Sequence, residues 1–270
     1  MFSTTDQLDW NVISRDLHVT VDGLQYNVPG KVAQLRDDTN EVIGITSPQY
    51  QVFQNSALRD FVQPLVSEGL LDITNIGYLG KGNKVFIQAT MTGDYNIAGD
   101  DYKGMITLLN SHDGSSALCA GVTTERIICT NTFATALGDM STRLRHTMSI
   151  HDEAARITEI VDFVNTGMQR YQEHAEALSR TRCEATTLDD IIAAAYKKPV
   201  ETVRGANNIR RLFRSGAGNE GRTLYDALNA VTDYTSHLAV KDDAKRFASV
   251  NFGNNALVNR RAMNAALALV

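Results

Sequence analysis

The chain has 270 residues, 43% of them hydrophobic, and a formal net charge of −5, enough apolar material for one large core or two moderate ones and a poor match to disorder. No run of about 18 apolar residues occurs, and the opening MFSTTDQLDW has neither a basic head nor an apolar signal core, so a soluble cytoplasmic protein with no membrane partner is expected. Cys119, Cys129 and Cys183 are odd in number and form no C-x-x-C pair, which argues against a disulfide framework.

In DLHVTVD, Leu17, Val19 and Val21 alternate with His18, Thr20 and Asp22, the period of a half-buried strand. KVAQLR and EVIGIT flank DDTN, where Asn40 can turn left-handed, so residues 31–46 read as a hairpin. A helix is expected at 55–69, bent near Pro64. LDITNIGYLGKGNKVFIQATM gives two strands joined by a Gly80–Asn83 turn, and GMITLLN, SALCAGVTT and ERIICTN complete an antiparallel meander. RIICTNTFATALGD then reads as a strand running into a short helix capped by Asn131 or Thr130 and closed by Gly138.

From about residue 152 the period becomes helical. Ile157, Ile160, Val164, Met168, Tyr171, Ala175 and Leu178 form a stripe over 152–182 that packs on its own sheet or, with near-heptad spacing, on a second subunit. Thr187 with Asp190 marks another helix start before Pro199, and further helices are expected at 203–214, 222–239 and 256–269. The expected architecture is α+β, with a twisted antiparallel meander in a β-rich domain at 1–150 and a helical region at 151–270, packed on the sheet or on a neighbouring subunit.

Ser111, His112 and Asp113 stand side by side, which disfavours a catalytic triad, because consecutive residues on an extended chain point to opposite faces and triads converge from distant positions. The segment also lacks G-x-S-x-G. Asn110, Ser111, His112, Asp113, Gly114 and Ser115 therefore read as a turn, with an enzyme or nucleotide-binding role using Glu125 and His146 as the alternative. The six histidines show no zinc spacing and GYLGKGNKV is no P-loop, so no cofactor, no metal and no catalytic residue is expected.

Charge is unevenly spread. Residues 1–100 hold six basic against twelve acidic side chains, whereas 201–270 hold ten against six, and local potential rather than the total steers a polyanion. Two concentrations suit phosphate: Arg126 with Arg143, Arg145 and His146 around the Asn131 junction, and RGANNIRRLFR with Arg204, Arg210, Arg211 and Arg214 beside Asn207, Asn208 and Phe213.

With LLNSHDGSS at 108–116 followed by RIICTNT at 126–132, and with the segments YNVPGKVAQLRDDTNEVIGITSPQYQVFQN, GYLGKGNKVF, LRHT and GNEGRTLYDALNAVTDY, the chain resembles the phage/plasmid-related protein family, a domain of unknown function, over nearly its whole length. Asn40 stands where relatives commonly carry a turn glycine, and Tyr225 where they often carry a tryptophan. The resemblance implies a mobile genetic element in a bacterial host and supplies no activity. The order of elements is similar in outline to single-strand annealing recombinases, an analogy of fold alone. Joined to the basic clusters, it gives the expectation of a homo-oligomer binding single-stranded DNA through Lys81, Lys84, Arg126, Asn131, Arg143, Arg145, Arg210, Arg211 and Arg214. A protein that acts on a host defence factor through its long helix is a further alternative.

Overall fold

A computed structural model describes residues 5–127, 131–134, 141–144 and 160–270. The fold is α+β, with antiparallel sheets in the N-terminal half and helices in the C-terminal region. The chain divides into two compact units, one of Met1–Thr92, Ile106–Ala120 and Thr142–Val161, the other of Gly93–Met105, Gly121–Ser141 and Asp162–Val270.

The first unit opens with a 3-10 turn, Thr5–Leu8, and a three-stranded sheet in the order β1 (Val12–Val21), β2 (Leu24–Arg36), β3 (Val42–Thr46). Asn40 takes the expected left-handed turn, φ 55°. Helix α1 (Asn55–Ser67) contains Pro64 as expected, and β4 (Leu71–Leu79) pairs with β5 (Lys84–Ile97) across the expected turn. The half-burial expected of β1 is not found toward its tip, where Val19 and Val21 are 47% and 49% exposed. The alternation there makes a two-faced ribbon with no core of the described residues against it.

At the other end of the same sheet, the Arg36 guanidinium lies in the corner of two rings set at 83° to one another, its Cζ 4.3 Å from the centroid of Trp10 and 5.0 Å from that of Tyr78. Cation–π contact with the rings leaves the Nε–Nη2 edge of the guanidinium free for a carboxylate. Asp38 occupies that edge in bidentate fashion, accepting from Nε at 2.9 Å and Nη2 at 2.6 Å. The Arg36 hydrogen bonds hold the Asp38 carboxyl below its ordinary range.

A second sheet has the order β4-β5-β6-β7-β8, with β6 Asp100–Ser111, β7 Leu118–Arg126 and β8 Asn131–Ala134; β9 (Ser141–Leu144) pairs with β7. The helix expected to begin at Asn131 is corrected. Residues 131–134 form strand, with Arg126 opposite Asn131 and Thr124 opposite Phe133. Thr132 and Phe133 suit a pleated ladder, and β7 supplies one. Residues 135–140 lie outside the described residues.

In the second unit, α2 (Ile160–Arg180) buries Met168, Tyr171, Ala175 and Leu178, the expected stripe; Ile157 and the rest of 152–159 lie outside the described residues. The helix lies on its own sheet: a Cβ at Gly167 would stand 2.6 Å from Val122 on β7, and one at Gly104 on β6 would stand 3.2 Å from Met168. Helix α3 (Ala185–Tyr196) starts two residues before the expected Thr187, with Glu184 at the N-cap. Then follow α4 (Ala206–Ser215), α5 (Leu224–Asp233) and a π turn, Tyr234–Leu238. Helix α6 (Asp243–Phe252), absent from the sequence expectation, is capped by Asp242, which accepts from the Lys245 amide at 2.8 Å; α7 is Asn254–Leu267.

Asp38 contributes stability only while ionised, because its folded-state pKa lies below its unfolded one. That contribution is present above the unfolded pKa of about 4 and is lost as pH falls through the folded value. In urea titrations from pH 7 to pH 2.5, Asp38→Asn is expected to be less stable than the parent at pH 7, with the difference shrinking at the acid end.

Candidate functional site

The NSHDGSS segment lies in the first unit, running from the end of β6 into the connection to β7, and its first three side chains face inward. Asn110, Ser111 and His112 are fully buried. The Asn110 amide donates to the Phe53 carbonyl at 2.8 Å; the Ser111 hydroxyl donates to the Ser116 carbonyl at 2.7 Å and accepts from the Ser116 amide at 3.1 Å. Tyr50 donates its hydroxyl proton to the Ser111 carbonyl. Asp113 accepts from the Ser115 amide and from the Asn83 side chain, at 2.8 and 2.9 Å. Burial works against its charge, but these bonds and nearby Lys84 together hold its pKa below the ordinary value.

His112 bonds through Nε2 to Asn55 Oδ1 at 2.9 Å and sets its ring edge-on to Trp10, 5.7 Å between centroids. Asn55 in turn donates to the Trp10 carbonyl at 2.9 Å. Opposite, a Cβ at Gly44 on β3 would stand 2.6 Å from both the Asp113 Cα and the His112 carbonyl oxygen. Backbone therefore approaches backbone where only glycine fits. His112 and Asp113 together tie β3, α1, the Gly80–Asn83 turn and the β6–β7 connection into one knot.

Of the other site residues expected in this unit, Lys81 is exposed and 2.6 Å from Glu41, and Lys84 is half-buried at the start of β5. The side chains of Asn131 and Arg143 lie outside the description, as do Arg145 and His146 altogether.

Arg126 belongs to the interior of the second unit, which corrects its assignment as a phosphate contact. Its side chain is 2% exposed, and Nη2 lies 2.5 Å from Asp100 Oδ2. Nη2 also donates to the Gly218 carbonyl at 3.0 Å, while Nη1 donates to the Ala217 carbonyl at 3.1 Å and Asn219 Oδ1 at 3.3 Å. Gly218, φ 70°, lets the loop close on the guanidinium: a Cβ there would stand 2.5 Å from Nη2. A relay of phenols ends on the same carboxylate. Tyr225 donates to Asp100 at 3.1 Å, the Tyr102 and Tyr225 hydroxyls are 2.6 Å apart, and Tyr171 donates to Tyr102 at 3.3 Å. Burial pushes the Tyr171 phenol up to about 12, so the relay stays protonated at neutral pH.

One group of surface arginines in this unit gathers elsewhere. Helix α4 buries Ile209, Leu212 and Phe213, and presents Asn207, Asn208, Arg211 and Arg214 to solvent. Arg210 is partly withdrawn, forked onto Asp189 at 2.7 and 3.0 Å. Gly221 abuts the last turn of α4, since a Cβ there would be 3.1 Å from the Arg214 Cα. Beyond it opens a cavity of about 430 Å³ lined by Arg180, Arg182, Cys183, Glu184, Gly221, Arg222 and Thr223. Its floor is a short antiparallel pairing: Arg182 bridges Thr223, the Cys183 amide donates to the Arg222 carbonyl at 2.9 Å, and the Leu224 amide donates to the Thr181 carbonyl at 2.9 Å. This pairing brings two short arginine-bearing turns, forty residues apart, to one rim.

Sequence reasoning missed Arg180, Arg182 and Arg222, because SRTRC and NEGRT carry no linear signal of their meeting. The three arginines face Glu176, Glu184 and Glu220 at 3.4, 2.7 and 3.3 Å. Solvent-exposed pairs of this kind contribute about 0–1 kcal/mol and exchange readily for a phosphate. The N-caps of α3 and α5, Glu184 and Thr223, stand at the same rim; that of α5 is closed by its own capping box, in which the Thr223 hydroxyl accepts from the Asp226 amide and the Asp226 carboxylate from the Thr223 amide. Among the described residues no group of three or more His, Cys, Asp or Glu is placed to hold a metal ion, and no helix is long and apolar enough to cross a membrane.

An α+β chain with an inward-facing polar motif and an arginine-rimmed surface is what the geometry defines. The chain belongs to the family described as a domain of unknown function (DUF932), whose model matches residues 42–263. No curated protein and no solved structure matches it.

Removing one partner of a buried ion pair strands the other, at a cost of about 3–5 kcal/mol. Arg126→Met is expected to lose that much in chemical denaturation, whereas Arg211→Ala, on the exposed face of α4, is expected to stay within about 0.5 kcal/mol of the parent.

Proposed function

We propose that the chain is a phage- or plasmid-encoded protein that binds single-stranded DNA in the cytoplasm of a bacterial host and promotes strand annealing in recombination or replication, as a homo-oligomer. The observation that carries this reading is the arginine surface of the second unit. Arg211 and Arg214 on α4 lead past Gly221 to Arg222, Arg182 and Arg180 around the cavity. Guanidinium groups spaced along a surface match a flexible phosphate backbone, and Asn207 and Asn208 beside them offer amide donors. A mobile-element setting comes from the family resemblance of the NSHDGSS and CTNT segments. Catalysis through NSHDGSS is the weaker reading, because Ser111 and His112 are buried with their side chains bonded to Ser116 and Asn55.

Binding of a labelled 30-nucleotide single strand, followed by fluorescence anisotropy, tests the reading. Five phosphate contacts, one for each of these arginines, releasing about 0.7 counterion each imply roughly a 130-fold weakening from 50 to 200 mM salt. The Arg211→Ala/Arg214→Ala pair is expected to lower the salt slope by about 0.7 per arginine removed. Absence of binding at 50 mM salt, or a slope indifferent to these arginines, contradicts the assignment.

A further inference from the structure

Of the eleven large apolar side chains that stand strongly exposed among the described residues, six lie on the β1–β2–β3 sheet: Val19, Val21, Leu24, Tyr26, Val42 and Ile45. Their arrangement is ordered. Val19 pairs directly with Tyr26 and Val21 with Leu24, so these four side chains stand on one face, while His18 opposite Asn27 and Thr20 opposite Gln25 make the other face polar. The turn between them, Asp22–Gly23, has φ 50° and 80°, the left-handed pair that matches the twist of a tight hairpin. Residues 18–27 are all exposed, and a two-stranded ribbon in water is marginal by itself. Cross-strand pairs this apolar on a free-standing ribbon are the pattern of a face that is covered.

We infer that this face is the contact between two copies of the chain, ribbon packed on ribbon about a two-fold axis. The inference rests on the homo-oligomer named above and assigns its surface; it does not rest on DNA binding. Charge selects both occupant and orientation. The ribbon carries Asp22 at its tip and Arg15, Lys31 and Asp16 at its base, so it has no cationic excess to attract nucleic acid or an anionic membrane. Among the described residues Arg15, Lys31 and Asp22 form no ion pair within the chain. Antiparallel packing brings the Asp22 of one copy to the basic base of the other, whereas parallel packing sets Asp22 against Asp22. An isologous contact of this kind closes on itself.

Light scattering coupled to gel filtration, without DNA, tests the inference. The parent is expected at twice 29.6 kDa or a higher multiple, and Val19→Lys/Tyr26→Lys at one, with circular dichroism unchanged because both side chains are exposed within a single chain, and with a melting temperature that no longer rises with protein concentration. Asp22→Arg is expected to raise the dissociation constant at least tenfold, and adding Arg15→Asp and Lys31→Asp to restore it. A parent that stays monomeric at about 100 μM overturns both this contact and the homo-oligomer. An oligomeric parent whose mass survives Val19→Lys/Tyr26→Lys overturns the ribbon alone, and an unaltered Asp22→Arg overturns the antiparallel arrangement.

Discussion

A guanidinium taken out of water needs hydrogen-bond acceptors inside the protein, and the second unit is organised around meeting that demand for Nη1 and Nη2 of Arg126. One carboxylate, two backbone carbonyls and an amide oxygen supply it. Each donor imposes a condition on the chain. Asp100 must sit at the start of β6, the 217–219 loop must fold back with a glycine at its left-handed position, and Tyr225 must enter α5 with its hydroxyl toward the carboxylate. Burial of a charge is costly unless all such conditions hold together, so the pair specifies the arrangement of β7, β6 and the α4–α5 connection more than it adds stability. The tyrosine at position 225 fits this logic, since its phenol continues the relay to Tyr102 and Tyr171.

The first unit sets its arginine against aromatic rings instead. Arg36 is kept charged beside Trp10 and Tyr78 with Asp38 on its edge, and Trp10 also receives the ring of His112. The residues most suggestive of catalysis are thus bound into packing: His112 is a spacer between α1 and the tryptophan, and Asp113 folds its own turn. Their chemistry is spent on holding β3 close enough that Gly44 meets backbone.

Much of the fold was legible because period and turn chemistry acted locally. Asn40, the Gly80–Asn83 turn and the Met168–Leu178 stripe needed no knowledge of distant residues. Where partners lay far along the chain, legibility failed. Asn131 reads as a helix cap until β7 offers it a ladder. Arg126 reads as a free cation until Asp100 and the 217–219 loop close around it. Arg180, Arg182 and Arg222 gain meaning only from the pairing of Arg182 with Thr223. Helix α6 was missed because its short apolar pattern is weak and its start depends on one cap, Asp242. On β1 the alternation was real, but the face it defines looks out of this chain rather than into it.

With Arg126 internal and Arg210 forked onto Asp189, the proposed polyanion surface rests on the arginines of the α4 face and the cavity rim, carried on helix ends and a two-strand bridge. On the proposed reading this arginine surface is where a single strand is held. Hydrogen–deuterium exchange with and without a single-stranded 30-mer maps it most directly. Added protection at 180–184, 206–215 and 220–224, with none at 110–116, is the expected result. Protection confined to 110–116, or none anywhere at saturating strand, would contradict the account.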